Sequence, residues 1–164
     1  MILNDGTPVQ LAWVTHDLDE TEDALSKLFG AKKWVRMNGT TIERANCTFR
    51  GVPAGFVADA SLSYVGGMQL EIVAPLSGDN NIFADFLTKS GPGLHHVCLE
   101  TDDVEAAVEE TLSNGTDVIQ RGILPGVMEY AFVASSDAGP PFVEISNYSD
   151  EIKAFFDTVR AQQL

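Results

Sequence analysis

Residues 91–101, Gly91-Pro92-Gly93-Leu94-His95-His96-Val97-Cys98-Leu99-Glu100-Thr101, restart a pattern that the chain has already used once. Laid over one another, QLAWVTHDLD (10–19) and HVCLETDDVE (96–105) match in register. In each copy an extended apolar run ends at polar residues suited to start a helix. Asp17 can cap the first helix with Glu20 three positions on; Leu18, Thr21, Ala24, Leu25, Leu28 and Phe29 recur at helical spacing, and Gly30 closes the last turn. In the second copy Asp102 or Asp103 is the cap, Val104, Ala107, Val108 and Leu112 form the apolar side, and Asn114-Gly115 ends it. Extended stretches follow each helix. They lie around Lys33–Met37, Cys47–Arg50, Leu62–Val65 and Met68–Val73, the last stopping at Ala74-Pro75, then near Asp117–Gln120, Met128–Ala134 and Phe142–Ser146. The closing strands repeat as well: GGMQLEIVAP (66–75) overlays GPPFVEISNY (139–148), with Glu71 opposite Glu144. Each half therefore reads as βαβββ, and the fold class is α+β with two tandem modules.

A repeat of this size cannot bury one sheet face alone, so the halves are expected to form one continuous cupped, mixed sheet with a site between them. The spacing predicts a single domain over 1–164. Module one spans about 8–75, a linker with a short amphipathic turn (Ile82, Phe83, Phe86, Leu87) spans about 76–92, and module two spans about 93–148. A C-terminal helix over about 149–162, capped by Ser149 with Ile152, Phe155, Phe156 and Val159 on its apolar side, reads as a lid over the sheet or a dimer contact.

Composition removes several function classes. Ten Lys+Arg against 24 Asp+Glu leave a net charge of −14, a field that repels phosphate backbones and anionic lipid heads, so no nucleic acid and no membrane partner is expected. No apolar run reaches the roughly 18 to 20 residues of a spanning helix. Two cysteines make no disulfide framework, and MILNDGTPVQ lacks the basic stretch and apolar run of a secretory signal. The expected location is cytoplasmic, with reduced thiols.

Side chains alternate along a strand, which makes polar residues among apolar neighbours informative. Gln10 and His96 open the first strand of each half; Glu71 and Glu144 sit inside the last strand of each half, between Leu70 and Ile72 and between Val143 and Ile145. One such carboxylate commonly faces solvent on a one-sided sheet. Four donors at repeat-equivalent positions instead point to convergence, because buried carboxylates need a compensating cation. Gln10, Glu71, His96 and Glu144 are thus the expected metal ligands, a hard, mixed set for which zinc, cobalt, nickel, manganese and magnesium all qualify. No residue is assigned to an organic cofactor.

Of the remaining histidines, His95 is expected on the face opposite His96, as a structural group or one that supports a metal ligand, and His16 on the surface. Cys98 shares the His96 face and reads as a small pocket-lining thiol. Arg36, Arg44, Arg50 and Arg121 are candidates for holding a substrate carboxylate or phosphate, and Trp13 and Trp34 belong to the core.

The stretches VQLAWVTHDLDETEDAL, GGMQLEIVAPL, FADFLTKSGPGLHHVCLETDDVEAAV and FVEIS resemble the vicinal oxygen chelate superfamily over nearly the whole chain. The resemblance implies a glyoxalase/bleomycin-resistance/dihydroxybiphenyl-dioxygenase-like fold, with a divalent metal on Gln10, Glu71, His96 and Glu144. Gly-Leu-His-His looks most like the methylmalonyl-CoA epimerase branch. Two departures stand out. That branch carries histidine where this chain has Gln10, whereas a Gln/Glu/His/Glu set is similar to that of zinc-type glyoxalase I; and the second proton-transferring glutamate of the epimerases would align near Gly55, where no acid stands.

What the resemblance implies is a metal-dependent isomerase or lyase, a homodimer in the family's manner, acting on a small carbonyl or thioester substrate. The metal would stabilise an enediolate while a catalytic carboxylate, Glu144 or Glu71, moves the proton α to the carbonyl. The alternatives are a glyoxalase I (lactoylglutathione lyase)-like enzyme, a ring-cleaving dioxygenase, and a non-catalytic drug-binding resistance module.

Overall fold

The computed structural model describes residues 6–135 and 139–164; residues 1–5, in the stretch read for a leader signal, and 136–138 lie outside it. In chain order the elements are β1 (Thr7–Val14), α1 (Leu18–Phe29), β2 (Val35–Ile42), β3 (Cys47–Phe49), β4 (Val52–Pro53), β5 (Phe56–Val65) and β6 (Met68–Gly78). Then come α2 (Ile82–Ser90), β7 (Gly93–Glu100), α3 (Val104–Ser113), β8 (Val118–Leu124), β9 (Met128–Ala134), β10 (Phe142–Tyr148) and α4 (Asp150–Ala161).

The helix starts are written in the local chemistry. Asp17 accepts from the Glu20 amide and Asp103 from the Ala106 amide, each filling an orphan donor of the first turn, and Gly30 closes α1 in the left-handed conformation. α1 and α3 lie on the convex side of the sheet. Leu18 and Leu25 pack on Ile72 and Ala74 with Trp13 and Trp34, while Ala107 packs on Val133, Val143 and Ile145. Both tryptophans are half-buried and pack against this cluster from its edge, where the sequence placed them in the core.

The strands form one ten-stranded mixed sheet in the order β2-β5-β6-β1-β7-β10-β9-β8-β3-β4. β1 runs parallel to β6 and β7 parallel to β10, with β1 and β7 antiparallel across the join between the repeats. The two-module cup is thus borne out, with three differences. First, Cys47–Phe49 does not stay in its own module: it forms a hairpin with Val52–Pro53 and crosses to the far edge, pairing with β8 of the second half. Cys47, Phe49 and Ala54 there join the inner core with Phe56, Tyr130 and Phe132, so the crossing is driven by burial on the concave side.

Second, β6 continues through Pro75 to Gly78 instead of stopping at it. β1 leaves β6 at Val73, so beyond that point β6 is bonded only to β5, and proline is tolerated facing a free edge. Third, the linker turn is a full helix, α2, capped by Asn81 Oδ1 on the Phe83 and Ala84 amides; its Ile82, Phe83 and Leu87 plug the inner core.

The crossing hairpin depends on Gly122, which pairs with Cys47. A Cβ there would lie 2.6 Å from Tyr130 Oη and 2.8 Å from the Asn46 carbonyl. Gly122→Ala should therefore cost about 1–3 kcal/mol of unfolding free energy in urea titration. A loss below about 0.5 kcal/mol would show that the hairpin is not held against β8 as described.

Candidate metal centre

Strand register builds the centre from two rows of side chains on the concave face. Reading across β6, β1, β7 and β10, one row is Glu71, Ala12, His96, Phe142 and the next is Gln69, Gln10, Cys98, Glu144. Ala12 separates Glu71 from His96, and Cys98 separates Gln10 from Glu144. Both spacers are small and fully buried, which leaves room for the four larger side chains to lean over them toward one point.

They do converge. Glu71, His96 and Glu144 each offer a ligand atom within 4.8 Å of the others. His96 Nε2 lies 2.8 Å from Glu144 Oε2, 3.7 Å from Glu71 Oε2 and 3.3 Å from Gln10 Oε1. Gln10, His96 and Glu144 are buried; Glu71 keeps 17% of its side chain accessible, toward the cavity it lines. Each of the four residues singled out in the sequence therefore faces the same small volume. Two carboxylates, one imidazole and one amide oxygen suit a divalent cation of the first transition row or magnesium, and the two negative charges match its charge.

Neighbouring groups hold three of the donors in place. The Gln10 amide donates to Gln69 Oε1 at 2.6 Å, and Gln69 donates to Tyr64 Oη at 2.9 Å, which turns Gln10 Oε1 into the site. Ser146 donates to Glu144 Oε1 at 2.6 Å. His95 Nδ1 and His96 Nδ1 are 2.8 Å apart. Burial, with a smaller contribution from His96 and a weak opposing pull from the Ile82 backbone, pushes His95 down to about 2, so it is neutral. With Nε2 of His96 left free as a ligand, His96 Nδ1 is the donor and His95 Nδ1 the acceptor, a tautomer assigned from this pairing.

The position of His95 corrects the alternation expectation. Pairing of β7 with β1 jumps from His96↔Ala12 to Leu94↔Trp13, leaving His95 as the extra residue of a bulge. Its ring consequently packs beside His96 and against Phe83, Phe86, Phe132 and Phe142 on the site side. His16 is exposed, as expected. Cys98 shares the His96 face but is fully buried beneath Tyr148, 3.3 Å from its hydroxyl, and does not line the cavity; burial pushes its thiol well up.

The arginines proposed to hold a substrate anion are elsewhere. Arg36 pairs with Asp19 and Glu22, Arg44 with Asp79, Arg50 with Asp85, and Arg121 with Glu105, all outside the cavity. With 24 acids for ten cations, exposed carboxylates outcompete the interior for every arginine. The sequence reading missed Gln69 and Tyr64. Gln69 stands two residues before Glu71 and so shares its face, a usable signal, but its contact with Gln10 depends on the β1/β6 register.

The centre forms the floor of a cavity of about 310 Å³. Its walls are largely apolar, from Ile42, Phe56, Leu62, Phe83, Met128 and Phe132, and α4 adds Ile152 and Phe156. α4 packs on β5 through Val159, Phe155 and Phe156 against Leu62 and Tyr64, and Gln163 beyond it bonds the backbone of Lys32 and Lys33. The C-terminal helix is thus a wall of the cavity.

Burial, then the neighbouring Glu144 carboxylate, push the Glu71 carboxyl up to about 8. In the metal-free protein this group holds a proton that the unfolded chain has released, so its contribution to stability falls as pH rises from about 4.5 to about 8. A divalent ion must displace that proton. Its apparent affinity should climb by up to about tenfold per pH unit below about 8 and level off above, with proton release on binding near neutrality. Calorimetry in buffers of differing ionisation enthalpy measures this; binding without proton uptake or release would contradict the protonated state of Glu71.

A family model described as the Glyoxalase/Bleomycin resistance protein/Dioxygenase superfamily matches residues 9–132. The mitochondrial methylmalonyl-CoA epimerase of Dictyostelium discoideum is 30% identical over 110 residues, 66% of this chain and 57% of that protein, and that of Bos taurus is 31% identical over 84 residues, 49% and 47%. The chain spans about half the length of these relatives. Among solved structures, methylmalonyl-CoA epimerase from Mycobacterium tuberculosis superposes with a TM-score of 0.60 at 19% identity, covering 90% of this chain and 91% of that one.

Proposed function

Because the chain belongs to the glyoxalase/bleomycin resistance protein/dioxygenase superfamily, we propose that it is a divalent-metal-dependent isomerase or lyase. Its reaction is proton transfer at the carbon α to a carbonyl, a step that would serve an epimerase, the name its relatives carry. The observation that carries this reading is the convergence of Glu71, His96 and Glu144 within 4.8 Å at the floor of an apolar cavity. A bound divalent ion would supply Lewis acidity, drawing electron density from neighbouring carbonyl oxygens and acidifying the adjacent C–H.

The chain's own groups divide the remaining work. Gln10, His96 and Glu144 are the anchored donors, since each is buried and hydrogen-bonded. Glu71 reaches His96 only at 3.7 Å and faces the cavity, so it is the carboxylate free to take the proton. β6 and β10 flank the inner pair β1 and β7, so Glu71 and Glu144 approach a substrate from opposite sides. The apolar walls exclude water and protect the carbanionic state from stray protonation.

A lyase of the glyoxalase I type is the second reading, favoured by the Gln/Glu/His/Glu donor set. Deuterium wash-in at the α-carbon, run on methylmalonyl-CoA and on the glutathione hemithioacetal of methylglyoxal, separates the two. Metal-dependent incorporation into either supports proton transfer and selects the branch. No incorporation into either by protein that binds a divalent ion stoichiometrically would overturn the enzymatic reading in favour of a sequestering module. A cytoplasmic location and a homodimer accompany the proposal, the latter tested by sedimentation equilibrium. No helix among the described residues is long and apolar enough to cross a membrane.

A further inference from the structure

The geometry points to a substrate that is uncharged at its reacting end: we propose that the cavity takes a neutral carbonyl compound with a second neutral oxygen nearby and a compact apolar substituent, in preference to one bearing a carboxylate there. The inference rests on the proton-transfer reading above and narrows its substrate class.

Charge counting at the donors is the first support. Glu71 and Glu144 contribute two negative charges, and Gln10 and the His96 imidazole, bound through Nε2, contribute none. A divalent ion on this set is neutralised, so the floor of the cavity offers an arriving anion no net positive charge. Replacing one of the two carboxylates by a neutral donor would leave a charge of +1 for a substrate carboxylate; this chain keeps both.

The walls give the same answer. All ten lysines and arginines fall among the described residues, and none lines the cavity. The two on the helix that walls it turn away: Lys153 pairs with Glu100, and Arg160 pairs with Asp157 and stacks over the Tyr64 ring at 4.6 Å. Apart from the donors, the polar groups lining the cavity are the hydroxyls of Thr40, Tyr130 and Tyr148. Hydroxyls satisfy a carbonyl or an alcohol, but they do not offset the desolvation of a carboxylate, least of all beside two others in a chain of net charge −14. At about 310 Å³ the cavity has room for a short branched acyl group.

The test compares two acyl groups of nearly equal shape, 2-methylacetoacetyl and methylmalonyl, both as N-acetylcysteamine thioesters so that only the acetyl-for-carboxylate exchange differs. Binding to magnesium-, cobalt- or zinc-loaded protein is measured by calorimetry, alongside the metal-free protein. The neutral thioester should bind at least about tenfold more tightly to the loaded protein. A lysine placed on the wall by Met128→Lys, at a half-buried position where the ammonium can reach past the apolar surface, should raise the ratio of methylmalonyl to neutral-thioester affinity at least about fivefold. Equal or tighter methylmalonyl binding by the unaltered protein would overturn the inference, while α-proton exchange and ion binding would still stand. Failure of both thioesters to bind at millimolar concentration would also overturn it. The unaltered protein decides the matter even if the lysine variant misfolds.

Discussion

Protein carrying Glu144→Gln should bind a divalent ion at least about a hundredfold more weakly than the unaltered chain and lose α-proton exchange by at least about a thousandfold, with its fold intact. Glu144 is buried, 2.8 Å from His96 Nε2, and accepts from Ser146 at 2.6 Å. The amide preserves shape and can still accept from Ser146, so packing survives; what is lost is one of the two charges that a divalent cation requires. Above about pH 8, where both carboxyls are ionised, the metal-free variant should also melt higher than the metal-free parent, because a carboxylate repelling Glu71 has been removed from a buried site. Chelator competition and thermal unfolding read the two effects. Undiminished ion affinity in Glu144→Gln would remove this residue from the centre, and an unchanged melting temperature without metal above about pH 8 would show that the two carboxyls do not repel.

Phe132→Ala should cost about 3–5 kcal/mol of unfolding free energy. Phe132 is buried on the concave side of β9, with ring centroids 4.9 Å from His96, 5.6 Å from Phe83 and 5.8 Å from Tyr130. It is both the keystone of the inner core and the surface on which the His96 ring rests. Phe132→Leu, which keeps most of the volume, should cost about half as much. Urea titrations with a constant slope measure both. A loss under about 1 kcal/mol for the alanine variant would mean that the inner core is loosely packed and does not set the His96 orientation.

The four candidate donors were legible because the internal repeat and the period-two alternation of a strand act together. Once QLAWVTHDLD and HVCLETDDVE are aligned, Gln10 and His96 must occupy the same place in two copies of one unit, and Glu71 and Glu144 follow from the closing strands. Alternation failed at one residue, His95, because a bulge adds a position that no periodicity encodes. The charged residues misled for a different reason: an arginine is equally at home beside a substrate anion or a surface acid, and local sequence does not say which is nearer. Gln69 was passed over since its role depends on a parallel pairing between residues 59 positions apart.

From its amino acids alone the chain determined a doubled βαβββ architecture, the helix caps at Asp17 and Asp103, and the four side chains that face one another. These features arise from interactions within a few residues or from duplication, so they are written locally. Only the tertiary structure decided the crossing of Cys47–Pro53 to the opposite module, the wall made by α4, the bulge that turns His95 inward, and a cavity lined by no cation. Each of those is set by which distant surfaces bury one another and by where unpaired charges find partners, and both depend on the sum of contacts across the finished sheet.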